Sequence, residues 1–217
     1  MVEPGAIAWN YNRAETLADG IIHGIGVCLA LMAAVVLTIA TTICATVVML
    51  VAVLIYLSGL LSVLLLSASY NLWPVSRTKW LLRRFDHSAI YVLIAATYTP
   101  LILDAGNSSI AAWHLIGLWG AAAVGMLLKL RWPGRFDRTS IGLYLAMGWS
   151  GVALYRAEAL VVPAHALWLI AAGGVLYTCG LIFHLWEQLR FQNAIWHCFV
   201  LAGAACHYAA IFDVVIG

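Results

Sequence analysis

Of the 217 residues 65% are hydrophobic and only 9% are charged, and the mean hydropathy of +0.98 lies far outside the range of soluble domains. The formal net charge of +2 is too small and too scattered for a nucleic-acid partner, and the five cysteines sit inside apolar segments with no C-x-x-C spacing, which excludes an encoded disulfide framework or zinc ribbon. The composition is that of an integral, multi-pass membrane protein.

Apolar runs of about 20 residues are the length a helix needs to cross roughly 30 Å of hydrocarbon, and helices satisfy their own backbone in lipid. Seven spans are predicted in an all-α bundle that forms one transmembrane domain over residues 1–217: about 17–40, 45–72, 86–104, 109–130, 139–156, 161–185 and 193–215. The first is too long for a signal-peptide core and lacks a cleavage site, so it reads as a retained span. Thr38, Thr41 and Thr42 are the only polar break between the first two spans. Trp73 to Ser76, Gly106 to Ser109, Trp132 to Gly134 and the polar stretch Glu187 to Asn193 carry turn chemistry, and Pro163 suits a first helical turn. Small-residue runs such as Ala171 to Gly174 and Ala202 to Ala205 favour close helix packing. Trp and Tyr near span ends read as an interfacial belt, and no internal repeat suggests a two-half transporter.

Arg13, then Arg77, Lys79, Arg83 and Arg84, then Lys129, Arg131, Arg135 and Arg138, then Arg190 all fall on one side of such a bundle, and only Arg156 on the other. The positive-inside rule therefore predicts a cytoplasmic N-terminus and an outside C-terminus, in a plasma (cell inner) membrane.

That topology gives depth to the polar residues within the spans. Asp19 and His23 are four apart on one face near the start of span one, Ser67 and Asn71 share a face at the end of span two, Asp86 and His87 open span three, and Asn193 and His197 share a face at the start of span seven. Taken singly, the carboxylates read as helix-start groups and Asn193 as an N-cap. Taken together, four pairs at one depth read as a buried polar site, because polar groups at lipid depth face the bundle interior and pair with one another. His114, His165, His184 and His207 lie apart and read as histidines bonded within the bundle.

The strings Glu15 to Gly26, Ser67 to Asn71, Arg83 to Tyr91, Ile94 to Pro100 and Asn193 to Gly203, with His207 beyond, resemble the hemolysin III family over nearly the whole chain. This is the bacterial branch of the progestin and adipoQ receptor group, which includes adiponectin receptors. The resemblance implies a seven-helix bundle with its N-terminus inside. It also implies a zinc ion held by one histidine on helix two and two on helix seven, with the helix-three aspartate, here Asp86, holding a water. In this chain the helix-two position is Asn71 and the first helix-seven position is Asn193, so only His197 remains of the ligands, with Ser67 and Asp86 in place. Catalytic zinc normally keeps three protein ligands, so the family site reads as degenerate. Asp19 stands where the family more often has asparagine, and a displaced set of Asp19, His23, Asp86 and His197 is the alternative metal site.

Two functions follow as expectations. The first is a membrane-lipid or stress-response protein whose polar cluster is a hydrogen-bonded latch. The second is a metal-dependent hydrolase of a lipid amide such as ceramide, with Asp86 as base and Ser67 hydrogen-bonding the site. A proton pathway ranks third, because the polar residues stay at one end.

Overall fold

The computed structural model describes residues 11–104, 108–156 and 162–217, and these form helices with no strand among them. The helices are α1 (Arg13–Cys44), α2 (Val47–Leu72), α3 (Arg77–Asp104), α4 (Ser109–Arg131), α5 (Asp137–Trp149), α6 (Gly151–Arg156), α7 (Ala164–Leu185) and α8 (Gln192–Ile216). With α5 and α6 as two halves of one span, they make a seven-helix bundle. Among the described residues, five helices are long and apolar enough by themselves to cross a membrane. The other two spans fall short because α3 carries a polar first half and the fifth span is split. Large apolar side chains on the outside of the bundle, such as Ile21, Leu29, Val36, Leu54, Ile116 and Ile182, are exposed, as lipid-facing side chains are.

Local chemistry explains the boundaries. Asn12 caps α1 in a reciprocal box with Glu15, so α1 starts before the expected span and neither Asp19 nor Asp86 is a cap. The chain turns at Ala45 and Thr46, with the Thr46 hydroxyl capping α2 at Met49 N–H. The expected break at Thr41 and Thr42 is helical, because those hydroxyls bond back to the Leu37 and Thr38 carbonyls at 2.6 and 2.7 Å. Helix α3 begins at Arg77, nine residues before the expected span, so Arg77 to Arg84 lie on helix rather than in a loop. The predicted turn over Gly106 and Asn107 lies outside the described residues, and Ser108 caps α4 through Ala111 N–H. Pro163 is the N-cap residue of α7. Asn193 is inside the first turn of α8, whose N-cap is Phe191 in a left-handed conformation at φ 59°.

Helix α3 is the inner helix, with Ala95 to Ile102 buried without interruption and packed against α2 and α4. Helices α7 and α8 pair tightly because Gly173 and Gly203 let their backbones meet: a Cβ on Gly173 would lie 2.4 Å from His207 Cδ2 and 3.0 Å from the Gly203 carbonyl oxygen. His207 Nε2 meets the Ile170 carbonyl there at 3.2 Å.

The fifth span is broken by a residue from another helix. The Tyr98 hydroxyl of α3 donates to the Gly148 carbonyl at 2.6 Å and accepts from Gly151 N–H at 2.8 Å, so it satisfies backbone groups that lipid would leave unpaired. Gly151 is required, since a Cβ there would stand 2.7 Å from that hydroxyl oxygen. Ser150, between the halves, is 3.0 Å from His114 Nε2.

Candidate functional site

Three of the four polar pairs, Asp19 with His23, Ser67 with Asn71 and Asn193 with His197, meet at the end of the bundle where α1 begins, and their hub is Asp19. One Asp19 oxygen lies 2.6 Å from His197 Nδ1, and the other accepts from Asn193 Nδ2 at 2.9 Å. Asn193 Nδ2 also donates to Asn71 Oδ1 at 2.9 Å. Asn71 Nδ2 in turn donates to the Ser67 carbonyl at 2.9 Å and to its hydroxyl at 3.3 Å. His23 Nδ1 is 2.8 Å from the Asp19 carbonyl oxygen, and both imidazoles present Nε2 to the Ser67 hydroxyl, His23 at 3.2 Å and His197 at 3.3 Å. Their rings meet edge to face with centroids 4.2 Å apart. Asp19, His23 and Ser67 are buried. The three buried side chains are thus all engaged, as groups buried at lipid depth must be.

Helix ends hold this network in place. The Lys79 ammonium donates to the carbonyls of Tyr70, Asn71 and Trp73 at 2.9, 3.0 and 2.9 Å, closing the C-terminus of α2 where cations are favoured. Glu15 accepts from Asn12 N–H and, at 3.1 Å, from Phe191 N–H, which ties the start of α1 to the strained start of α8. The hydrogen bond from Asn12 first, and that from Phe191 second, hold the Glu15 carboxyl below its ordinary value. In the sequence Lys79 stood out only as one cation among several and Tyr98 only as part of the Ile94 to Pro100 string. The Asn12 to Glu15 capping box was the available signal for Glu15.

Asp86 stands to one side of the hub. Its nearest ionic partner is its neighbour His87 at 3.5 Å, and it lines a cavity of about 1400 Å³ together with Ser67, Asn71, Asn193 and His197. Apolar residues of α3, α7 and α8 continue the wall, among them Leu93, Ile94, Leu101, Ile170, Ala171 and Val200. Trp149, Val152, Tyr155 and Trp168 on the flank, and Glu187, Gln188 and Arg190 at the polar end, line the same space and are exposed, so the cavity reaches the surface at both places. On the flank Trp149 Nε1 donates to Thr178 Oγ1 at 3.1 Å. At the polar end, Asp137 pairs with Arg83 at 2.8 Å and Lys129 at 2.5 Å. Burial alone would raise the Asp137 carboxyl, but the hydrogen bonds from Lys129 and Arg83 outweigh it and hold the group well below the usual range.

The remaining histidines lie away from the hub. His114 meets Ser150 and His207 meets Ile170, as bundle-bonded histidines. His165 is paired with Asp213 near the opposite end, and His184 packs its ring 5.1 Å from Trp196.

The sequence profile described as Haemolysin-III related matches residues 11–208. The chain belongs to the haemolysin-III family. The Hemolysin-3 homolog of Bacillus subtilis (strain 168) is 34% identical over 197 residues, which is 91% of this chain and 92% of that protein. Hemolysin-3 of Bacillus cereus is 34% identical over 203 residues, 93% and 92% of the two chains. Monocyte to macrophage differentiation factor of Homo sapiens is 29% identical over 167 residues, 72% of this chain and 67% of its own.

The haemolysin-III resemblance brings zinc into question, and the donor atoms answer it. At the family position Asn71 and Asn193 present amide N–H groups, and the Asn71 oxygen is already an acceptor for Asn193; an amide N–H offers no lone pair to a metal. The residues there do not fit zinc. Among the described residues, Asp19, His23 and His197 could hold a metal ion, with one ligand atom from each within 4.8 Å of the others. Asp86, the fourth member of the expected displaced set, is not in that group. The 2.6 Å contact between Asp19 and His197 is a hydrogen bond, whereas two ligands at tetrahedral zinc stand about 3.3 Å apart. A metal would have to open that bond.

Proposed function

We propose that the protein binds an acyl lipid, with the chain in the cavity and the polar group against the Asp19, Ser67 and His197 cluster, and that this binding serves lipid homeostasis or a membrane stress response. The membrane is the bacterial plasma membrane in this reading, with the start of α1 on the cytoplasmic side. The carrying observation is the continuity of the cavity: about 1400 Å³ exceeds the roughly 300–1,000 Å³ of ordinary ligand pockets. Its depth is lined mainly by apolar residues, its polar groups gather at one end, and exposed residues line it at the flank as well as at that end, which supports an acyl chain inside with its polar group at the polar end. Purification in mild detergent followed by native mass spectrometry tests it. An acyl lipid should remain bound to the unaltered chain and be lost from Ala171→Trp, which fills the cavity wall. Equal retention by a folded Ala171→Trp protein contradicts the reading.

A second reading, metal-dependent hydrolysis of a lipid amide, is favoured by the grouping of Asp19, His23 and His197. A divalent ion there would supply a Lewis acid and an activated water, and Asp86, facing the cavity, would accept a proton. One tightly held zinc per purified chain, lost in Asp19→Asn and in His23→Gln, supports this reading, and clearly substoichiometric zinc counts against it. Asn71→His together with Asn193→His should raise zinc content towards one per chain if these are the family's ligand positions.

A further inference from the structure

The order of atoms through the cluster is that of a nucleophile, a base and an orienting acid. Ser67 Oγ lies 3.3 Å from His197 Nε2, and the other nitrogen of the same ring lies 2.6 Å from a carboxylate oxygen of Asp19. Such a constellation is recognised by geometry and roles, whatever the fold or chain order, and its first contact is often loose without substrate. We infer that Ser67, His197 and Asp19 form a metal-free acyl-transfer triad that hydrolyses the carboxyl ester or amide of the lipid held in the cavity. The inference rests on the lipid-binding reading for its substrate, and replaces a metal-activated water with a serine.

Three positions make sense together on this assignment. Asp19 supplies the carboxylate that fixes His197 with Nδ1 as donor and leaves Nε2 free to act as base. Asn193 donates to the second Asp19 oxygen at 2.9 Å, which locks that carboxylate in plane with its task. Asn71, whose Nδ2 donates to the Ser67 hydroxyl at 3.3 Å and to its carbonyl at 2.9 Å, is an amide donor beside the nucleophile, where an oxyanion would need one. An imidazole at 71 or 193 would serve a metal; an amide N–H serves negative charge on oxygen. His23 holds the Ser67 hydroxyl from the other side at 3.2 Å. Its own Nδ1 lies 2.8 Å from the Asp19 carbonyl oxygen and 3.6 Å from the carboxylate, whereas His197 Nδ1 is within hydrogen-bond distance of that carboxylate at 2.6 Å, so His197 is the imidazole oriented by the acid.

The chemistry balances without a cofactor. Ser67 Oγ forms a bond to the acyl carbon while its proton passes to His197 Nε2. The bond from that carbon to the amine nitrogen or alcohol oxygen then breaks, and the leaving atom takes the proton from His197. A water attacks the acyl-serine, gives one proton to His197 Nε2, and the acid departs as Ser67 Oγ recovers that proton.

Alkyl fluorophosphonates test this directly, because an activated serine forms the Oγ–P bond as the P–F bond breaks, releasing fluoride and the serine proton. The purified full-length protein should be labelled on Ser67, located by peptide mass spectrometry, by both a short-chain and a hexadecyl probe, and 1,10-phenanthroline should not diminish the labelling. Ser67→Ala should abolish it. His197→Gln, which keeps a hydrogen-bonding side chain, and Asp19→Asn should each slow it by about a hundredfold or more. Retention of acyl lipid with no Ser67 adduct overturns the triad and leaves lipid binding standing. Ser67 labelling by the short probe in a protein that retains no lipid upholds the triad and removes the binding reading. Loss of labelling on metal chelation overturns the triad in favour of a metal mechanism.

Discussion

Replacing Asp19 by asparagine isolates the hub, because the shape is kept while one acceptor becomes a donor. The Asp19 carboxylate is 7% exposed and accepts from two directions, His197 Nδ1 at 2.6 Å and Asn193 Nδ2 at 2.9 Å. An asparagine can accept from one of them and must turn an NH2 towards the other. The loss is one hydrogen bond to a charged group together with a buried donor facing a donor, about 2–4 kcal/mol. For a chain of this size about 2–4 °C accompanies each kcal/mol, so the midpoint of thermal unfolding in detergent should fall by roughly 5–15 °C. Asn193→Ala should be destabilising alone, and the two changes together should fall short of additivity by about 1–2 kcal/mol, since they break the same contact. A shift below about 1 °C for Asp19→Asn, or additive behaviour in the pair, refutes Asp19 as hub.

The bundle makes other measurable demands. Asp86→Ala should cost less stability than Asp19→Ala in the same unfolding assay, because Asp19 carries the contacts of 2.6 and 2.9 Å to His197 and Asn193, whereas Asp86 faces Ser67 and His197 and among the described residues makes its ion pair with His87 at a longer 3.5 Å. With the native cysteines replaced, a cysteine at Val75, which is exposed between α2 and α3, should be shielded from an impermeant thiol reagent in intact cells while one at Gly217 reacts; the reverse pattern inverts the topology. Gly173→Ala should destabilise by about 1–3 kcal/mol, since its Cβ would meet His207 at 2.4 Å, whereas Gly117→Ala, with nothing within 4 Å, should be neutral or stabilising. Asp137 is held below its ordinary value by Lys129 and Arg83, so its contribution is present above the unfolded carboxylate value near about pH 4 and is lost as pH falls below it. Thermal stability between about pH 5 and 2 should therefore fall more steeply for the unaltered protein than for Asp137→Asn, and equal slopes would count against the pairing.

The spans and the meeting of three of the polar pairs were legible because both depend on distance along the chain. Hydrophobic length sets where a helix can cross, and Asp19, Asn71, Asp86 and His197 each lie a fixed number of residues from the same membrane face. Which carboxylate becomes the hub was not legible. It depends on how α1 and α3 are rotated about their axes, and that rotation turns Asp19 towards His197 and Asp86 towards the cavity. The split of α5 from α6 was hidden for a similar reason, since it is imposed by Tyr98 from α3 and leaves little mark in the local sequence beyond Gly148 and Gly151. The extended starts of α1 and α3 were missed because hydropathy fades at Arg13 to Thr16 and at Arg77 to Arg84, while capping and backbone hydrogen bonds continue the helix past the apolar run.

Photo-crosslinking of a bound acyl lipid tests the central claim most directly. A fatty-acyl probe with its diazirine near the carboxyl end should label residues beside Ser67 and His197, and one with its diazirine near the methyl end should label the deeper wall around Leu101 and Ile170. Adducts from both probes confined to the outward faces of α1 and α4, at residues such as Leu29, Val36 and Ile116, would place the lipid outside the bundle and contradict the account.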